Sequence, residues 1–199
     1  MAAVSHLLYL HGFRSSPQST KARQMAAWMH AHRPDVRWWC PQLPPSPCEA
    51  LALIGAGVSA WPHSTMAVVG SSLGGFYATV LAERFGCRAL LLNPAVNPAR
   101  DLAGYIGETS AWHSDERFFF EARYVDELAE MTPPRITRPE RYFAVIAKGD
   151  EVLDWREMTA RYAGCRIKLI EGGDHALSDF ENEHLPEVLR WLGLSRSSG

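Results

Sequence analysis

The residues with the clearest chemical meaning form a short glycine-framed stretch around Ser72. Positions 70–75 read Gly-Ser-Ser-Leu-Gly-Gly, directly after an apolar run and directly before an amphipathic one. In a sharp turn from a strand to a helix, the residues two positions on either side of the central serine must lack bulk. Gly70 and Gly74 meet that demand, so the pattern predicts that Ser72, rather than its neighbour Ser71, is a nucleophile. The alternative is an ordinary strand-to-helix turn.

A serine hydroxyl is a weak nucleophile at neutral pH and needs a base, which is commonly a histidine. Three histidines follow Ser72 in the chain: His113, His175 and His184. His175 ends the stretch Glu-Gly-Gly-Asp-His, directly after the last predicted strand, where a loop reaches the carboxyl edge of a parallel sheet. His184 lies in a predicted helix among charged residues, and His113 lies far from that loop. We therefore expect His175 to be the base; an ordinary loop histidine is the alternative.

The base needs an acidic partner that orients its ring, and we expect that acid at the end of the preceding strand. The stretch Lys-Gly-Asp-Glu-Val-Leu-Asp at 148–154 offers three carboxylates. Asp150 is the first carboxylate after the strand and is favoured. Asp154 is placed to cap the next helix, which leaves it and Glu151 as alternatives. Asp174 is poorly placed to orient its own neighbour, His175.

Attack of a serine on an acyl carbon creates an oxyanion, which needs preorganised N–H donors. One candidate is the backbone N–H of Leu73, directly after the nucleophile. The other is the N–H of Phe13, in the loop after the first strand, where Gly12 permits an unusual backbone path. The neighbouring His11 has three open roles: a hydrogen bond that holds this loop, a contact with substrate, or a base.

Short apolar, β-rich runs alternate with longer amphipathic stretches, which is typical of parallel β-α units. Six strands are predicted, at 5–10, 36–40, 66–70, 89–93, 142–147 and 166–170. Helices are predicted at 19–32, 47–61, 73–85, 155–163 and 177–192. Because most of the strands are apolar throughout, we expect one α/β domain over 1–199 with helices on both faces of a mainly parallel sheet.

The region from about 98 to 139 breaks this alternation, since it is longer than a single crossover helix requires. It is rich in aromatic residues: Tyr105, Trp112, Phe118, Phe119, Phe120 and Tyr124. We interpret it as a small cap over a pocket, with plain core packing as the alternative. Trp112 and Phe119 are its candidate substrate-binding residues.

Composition excludes several classes of protein. The chain has 199 residues, 47% of them hydrophobic, and 20 basic against 22 acidic side chains give a net charge of −2. This balance is unlike that of a disordered chain and gives no electrostatic footprint for nucleic acid. There is no apolar run of membrane-spanning length, no signal core and no metal-binding cysteine spacing. We therefore expect a cytoplasmic protein with reduced cysteines, no membrane span and no cofactor or metal.

Together these residues resemble the α/β-hydrolase superfamily. The stretch from 9 to 22, Tyr-Leu-His-Gly-Phe-Arg-Ser-Ser-Pro-Gln-Ser-Thr-Lys-Ala, is similar to the YqiA-like bacterial esterases, as are the segments at 69–78, 92–96, 149–154 and 172–175. The resemblance implies a compact hydrolase acting on acyl esters and on acyl-CoA thioesters. Arg14 replaces the asparagine expected there and, with His11, joins the substrate-binding candidates.

The expected function is hydrolysis of small acyl esters through a Ser72–His175–Asp150 triad and an acyl-enzyme. Two alternatives stay open: an amidase or peptidase that uses the same triad, and a non-catalytic binding or signalling protein on the same fold.

Overall fold

A computed structural model of the chain describes residues 3–110 and 117–195. In chain order its strands are β1 (His6–Leu10), β2 (Arg37–Trp39), β3 (Met66–Ser71), β4 (Arg88–Leu92), β5 (Gly107–Ser110), β6 (Arg117–Phe120), β7 (Tyr142–Ala147) and β8 (Arg166–Ile170). Six of them form one sheet in the order β2-β1-β3-β4-β7-β8, with every neighbouring pair parallel. The predicted α/β class and its six parallel strands are confirmed, with small shifts at the strand ends.

The central strands are buried on both faces because their sequences are apolar throughout. In β1, Leu8 and Leu10 point into one core while Leu7 and Tyr9 point into the other. The same division continues across β3, β4 and β7, all of whose residues are buried. Within the six-stranded sheet, only the edge strands β2 and β8 carry exposed positions, as expected where one side of a strand lacks a neighbour.

Seven α-helices surround the sheet within the described ranges: α1 (Thr20–His32), α2 (Pro47–Val58), α3 (Leu73–Phe85), α4 (Pro98–Leu102), α5 (Ala122–Met131), α6 (Trp155–Arg161) and α7 (Leu185–Leu192). Helices α1 and α7 pack on one face through residues such as Met25 and Val188. Helices α2, α3 and α5 cover the other face through residues such as Ile54, Phe76 and Leu128. In residues 3–110 and 117–195, no helix has the length and apolar character needed to cross a membrane.

The last helix differs from its prediction over 177–192. The chain instead passes through Leu177 with φ 49°, makes a π-helical turn at Phe180–His184, and begins α7 at Leu185. Pro186 lies in the first turn of α7, where its missing N–H costs nothing. Residues 177–179 therefore belong to the loop that carries His175.

The region between β4 and β7 contains α4, a 3-10 turn at Ala103–Tyr105, an antiparallel hairpin of β5 and β6, and α5. None of these elements was predicted from the sequence. Tyr124 and Leu128 of α5 and Phe120 of β6 are buried in the main core. Part of this region therefore packs as core, which was the alternative interpretation of its aromatic content.

Candidate active site

Ser72 lies alone between the last residue of β3 and the first residue of α3, with φ 55° and ψ −121°. Two backbone hydrogen bonds fix this residue: its N–H donates to the carbonyl of Leu92 at 3.0 Å, and its carbonyl accepts from the N–H of Ala95 at 3.0 Å. A Cβ on Gly70 would lie 2.1 Å from the carbonyl oxygen of Gly74. The glycines that frame the serine are therefore required by close backbone contacts, as the sequence predicted.

The structure brings His175 and Asp150 to this serine. The Nε2 atom of His175 lies 3.1 Å from Ser72 Oγ, and its Nδ1 atom lies 2.8 Å from Asp150 Oδ2. A carboxylate only accepts hydrogen bonds, so Nδ1 carries the proton and Nε2 is left free to accept one from the hydroxyl. This arrangement allows proton transfer from the serine to the imidazole.

The carboxylate of Asp150 is fully buried, and both of its oxygens accept hydrogen bonds. Its Oδ1 atom accepts from the N–H groups of Val152 and Leu153, each at 2.8 Å, while Oδ2 accepts from His175. Asp154 instead accepts from the N–H of Arg156 at 2.9 Å and caps α6. The two aspartates that the sequence weighed for one role are thus held in different places.

The loop that carries His175 is tied to the sheet by a residue that sequence reasoning missed. Asn93 is completely buried and donates from Nδ2 to the carbonyls of Asp174 at 3.0 Å and His175 at 3.2 Å. Its Oδ1 atom accepts from the N–H of Ala147 at 2.8 Å. The sequence offered one signal, an asparagine directly before a proline at the end of a buried strand, but we assigned that asparagine to the strand itself.

Left-handed backbone conformations of non-glycine residues concentrate at this edge of the sheet. Within the described ranges they occur at Arg14 (φ 60°), Ser72 (φ 55°), Asn93 (φ 42°) and Leu177 (φ 49°). These four residues lie in the loops that follow β1, β3, β4 and β8. Such conformations are costly and cluster at functional sites, so the carboxyl edge is the part of the fold where backbone strain is concentrated.

The loop after β1 lies directly beside the serine. A Cβ on Gly12 would lie 3.1 Å from Ser72 Cβ and 3.6 Å from Ser72 Oγ, so the peptide between Gly12 and Phe13 borders the hydroxyl. Leu73 is the first residue of α3, so no earlier turn of that helix accepts its N–H. Both predicted oxyanion donors therefore lie in segments next to Ser72. Strands β1 and β3 are neighbours at the point where the strand order reverses, which is where open α/β sheets bind ligands.

His11 has a structural role in this loop. It is buried, its Nδ1–H donates to the carbonyl of Gly12 at 3.0 Å, and its Nε2 accepts from the N–H of Leu43 at 3.1 Å. Burial lowers the pKa of His11, opposed in part by the hydrogen bond to Gly12. A neutral ring with both nitrogens bound to backbone matches the loop-holding role, one of the three left open by the sequence.

Arg14 reaches from the same loop to the hairpin. Its guanidinium donates from Nε to the carbonyl of Ser110, and from Nη2 to the hydroxyl of Ser110 at 3.0 Å. It therefore ties the loop after β1 to the end of β5. It also borders the cavity at Ser72, so a contact with substrate remains a prediction.

Three cavities adjoin this loop. One of about 440 Å³ touches Ser72 and His175 and has a mainly apolar wall from Leu102, Tyr105 and Leu153. A second of about 230 Å³ also touches Ser72 and His175, and its lining includes Lys21 and the hydroxyl-bearing residues Ser15, Ser19 and Thr20. A third of about 430 Å³ is lined by Phe13, Leu73 and Phe118 but by neither Ser72 nor His175.

Of the two aromatic residues that the sequence assigned to substrate binding, Phe119 lies outside these cavities with 61% of its surface exposed. Its neighbour Phe118 lines the third cavity, because successive residues of a strand face opposite sides. Trp112 lies outside the described residues. Which residues of this region contact substrate stays a prediction.

Burial raises the pKa of the Cys40 thiol to about 12 and that of Cys165 to about 11, so both resist forming thiolates. In the part of the chain that the structure describes, no cluster of three or more metal-ligating side chains occurs.

Comparison with known proteins identifies the family. The model of an uncharacterised protein family, UPF0227, matches residues 6–192, and the chain belongs to this family. UPF0227 is the family of the YqiA-like proteins, so the resemblance inferred from the sequence is confirmed.

Several solved structures share the fold. A structure of the metagenome-derived lipolytic enzymes LipS and LipT matches with a TM-score of 0.71 at 18% identity, over 98% of this chain and 97% of that chain. Est1E from Butyrivibrio proteoclasticus with bound ferulic acid matches at 0.67 and 16% identity, over 96% and 87% of the two chains. Tomato methylketone synthase I with 2-tridecanone matches at 0.65 and 11% identity, over 96% and 97%. At these identities the likeness shows the α/β-hydrolase fold, which hosts more than one activity.

Proposed function

We propose that this chain is a serine hydrolase that cleaves small acyl esters through an acyl-enzyme on Ser72. The observation that carries the proposal is the continuous contact from Ser72 Oγ to His175 Nε2 at 3.1 Å and from His175 Nδ1 to Asp150 Oδ2 at 2.8 Å. Acyl transfer requires a nucleophile, a base that is hydrogen-bonded to the nucleophile, and an acid that is hydrogen-bonded to the base and orients it.

In the first half-reaction, Ser72 Oγ attacks the carbonyl carbon while its proton passes to His175 Nε2. The resulting oxyanion accepts hydrogen bonds from the N–H groups of Phe13 and Leu73. Asp150 stabilises the imidazolium, which then gives its proton to the leaving alcohol as the bond between the acyl carbon and the alcohol oxygen breaks.

In the second half-reaction, water attacks the acyl-enzyme. His175 accepts a proton from that water and returns it to Ser72 Oγ as the acid departs. A thioester follows the same steps with a thiol as leaving group, so acyl-CoA thioesters belong to the proposed substrate range.

The insertion over 98–139 acts in this proposal as the cap of one domain. Leu102 and Tyr105 belong to it and line the apolar cavity of about 440 Å³ beside Ser72. Phe13 joins it to the loop after β1, since its ring meets those of Tyr105 at 5.3 Å and Phe120 at 5.2 Å. An apolar acyl chain is the group that this wall suits.

The first prediction concerns Ser72. On 4-nitrophenyl butanoate, Ser72→Ala should lower kcat/KM by roughly 10⁴-fold or more, because the covalent step is lost. Ser71→Ala is the matched control and should stay active. A fluorophosphonate probe should label Ser72 in the wild-type protein, as located by peptide mass spectrometry. Undiminished turnover by Ser72→Ala, or a label on another residue, would reject the proposal.

A panel of esters, thioesters and amides with one acyl group separates the alternatives. An esterase hydrolyses the ester and an amidase hydrolyses the amide. A non-catalytic binding protein turns over none of them and does not react with the fluorophosphonate.

A further inference from the structure

The two cavities that meet at Ser72 differ in the charged residues of their walls. The larger has Arg14 together with the acidic residues Asp101 and Glu151, whereas the smaller, of about 230 Å³, is lined by Ser15, Ser19, Thr20 and Lys21. Among the described residues that line the smaller cavity there is no aspartate or glutamate. Both cavities touch Ser72 and His175, so each offers room for one arm of an ester held at the serine.

Lys21 brings a positive charge close to the reacting atoms. Its ammonium donates one hydrogen bond to the carbonyl of Ala176, directly after His175. An ammonium has three N–H donors, so two are not used in this bond. Ser19 adds a hydroxyl that does not cap its own helix, although it occupies the N-cap position of α1.

The ammonium of Lys21 is partly desolvated by burial. Burial lowers the pKa of Lys21 to about 8, and the negative charges of Asp174 and Asp150 only partly oppose this. A cation that has lost part of its hydration gains from an anion placed against it, and more than an exposed lysine would.

We infer that the smaller cavity is a subsite for a carboxylate carried on a short arm of the ester, and that Lys21 recognises it. The inference rests on the proposed function and narrows its substrate class to esters with one apolar arm and one short acidic arm, such as esters of hydroxy acids. The competing explanation is that Lys21 only positions the loop of His175 through Ala176.

A matched pair of substrates separates the two explanations. Carboxymethyl butanoate carries a carboxylate, and carbamoylmethyl butanoate replaces it with a neutral amide of similar size. The quantity to compare is the kcat/KM for the acid divided by that for the amide, because a general loss of activity cancels in this ratio. The ratio should fall about 10-fold or more in Lys21→Met, as expected for the loss of a charge-assisted hydrogen bond.

Two control variants guard this result. Arg23→Met removes the same charge from an exposed position of the same helix and should leave the ratio within about 3-fold of the wild type. Lys21→Arg keeps the charge and should retain most of the preference. An equal loss on both esters in Lys21→Met, or an equal fall of the ratio in Arg23→Met, would overturn the subsite.

A binding measurement tests the carboxylate subsite without turnover. Calorimetric titration of the Ser72→Ala protein should show tighter binding of the acid ester than of the amide ester, and adding Lys21→Met should weaken only the acid, by about 10-fold or more. Equal affinities in both proteins, or no binding of the acid, reject the subsite. The proposed function fails separately, if wild-type protein hydrolyses neither ester.

Discussion

The loops at the carboxyl edge of the sheet and the insertion over 98–139 both border Ser72, but they are held in different ways. The edge loops are fixed by short polar bonds to buried backbone, as when Asn93 links the loop of His175 to the end of β7. The insertion has its own two-stranded hairpin and meets the loop after β1 through aromatic rings and through the bonds of Arg14 to Ser110.

This difference indicates a division of labour. Hydrogen bonds are directional and hold atoms to within tenths of an ångström, which proton transfer requires. Apolar ring contacts are less directional and tolerate substitution at modest cost, which suits a wall that selects substrates. Changes at the sheet edge should therefore lower the rate, and changes in the insertion should alter substrate preference.

In this comparison the largest loss of kcat is expected at Asp150. Asp150→Asn keeps the shape of the side chain but places an amide N–H group where the ring N–H of His175 needs an acceptor. The imidazole then adopts the wrong tautomer, with its proton on Nε2. We expect kcat to fall by roughly 10³- to 10⁴-fold, measured with 4-nitrophenyl butanoate at saturating concentration.

Asp154→Asn is the matched control four residues away. It alters the cap of α6 and an exposed ion pair with Arg156, both outside the triad, so activity should stay near that of the wild type and stability should fall by about 1 kcal/mol or less. If Asp154→Asn instead abolished turnover while Asp150→Asn did not, the assignment of the acid would be reversed.

A smaller loss of rate is expected at Asn93, whose side chain hydrogen-bonds to the backbone of Asp174, His175 and Ala147 rather than to the reacting groups. Asn93→Ser removes the three hydrogen bonds that fix the loop of His175, and a shift of about 1 Å in a reacting group can cost about 100-fold. We expect kcat to fall by roughly 10- to 100-fold with KM nearly unchanged. The rate of fluorophosphonate labelling of Ser72 should fall in parallel.

The same change at exposed Asn97 is the control, since it lies at the start of α4 and should leave both rates intact. A purely structural role for Asn93 would appear as lower stability with unchanged kcat and labelling rate in the folded fraction.

The insertion should respond differently. Phe118→Ala removes a ring that packs against Phe13 at 6.0 Å, and Phe13 lines the cavity of about 440 Å³ at Ser72. The change should therefore shift the preferred length of the acyl chain by a few-fold in relative kcat/KM while leaving the labelling rate of Ser72 within about 10-fold. The neighbouring Phe119→Ala removes a side chain that is 61% exposed and should change neither quantity. A loss of labelling in Phe118→Ala as large as that at Asn93 would break the proposed division between the two regions.

The same two regions explain what the sequence could predict. The strands were recognisable because burial on both faces demands continuous apolar runs, and the glycines at 70 and 74 reveal a turn that no larger residue fits. Asp150 and His175 could be chosen because a parallel sheet orders its carboxyl-edge loops along the chain.

The rest depended on contacts that have no period in the sequence. Asn93 acts on residues 81 and 82 positions away in the chain, and nothing local to it indicates these partners. The hairpin of β5 and β6 is too short for alternation to specify which of Phe118 and Phe119 faces inward. The role proposed for Lys21 depends on a cavity formed by two distant loops.

The smallest effect is expected at His11, which belongs to the sheet edge although it borders the cavities. Because burial lowers the pKa of His11 below its ordinary value of 6.5, the unfolded chain binds a proton at this residue before the folded chain does. The free energy of unfolding therefore falls as the pH drops below about 6.5, by at most about 1.4 kcal/mol per pH unit from this residue.

The side chain in His11→Gln cannot titrate, so urea unfolding at pH 7.5, 6.5 and 5.5 should show a shallower loss of stability than in the wild type. His30→Gln, at an exposed position of α1, should retain the wild-type slope. Equal slopes in His11→Gln and the wild type would mean that the loop does not hold this ring neutral, and the bond from Leu43 to Nε2 would then have to break without cost.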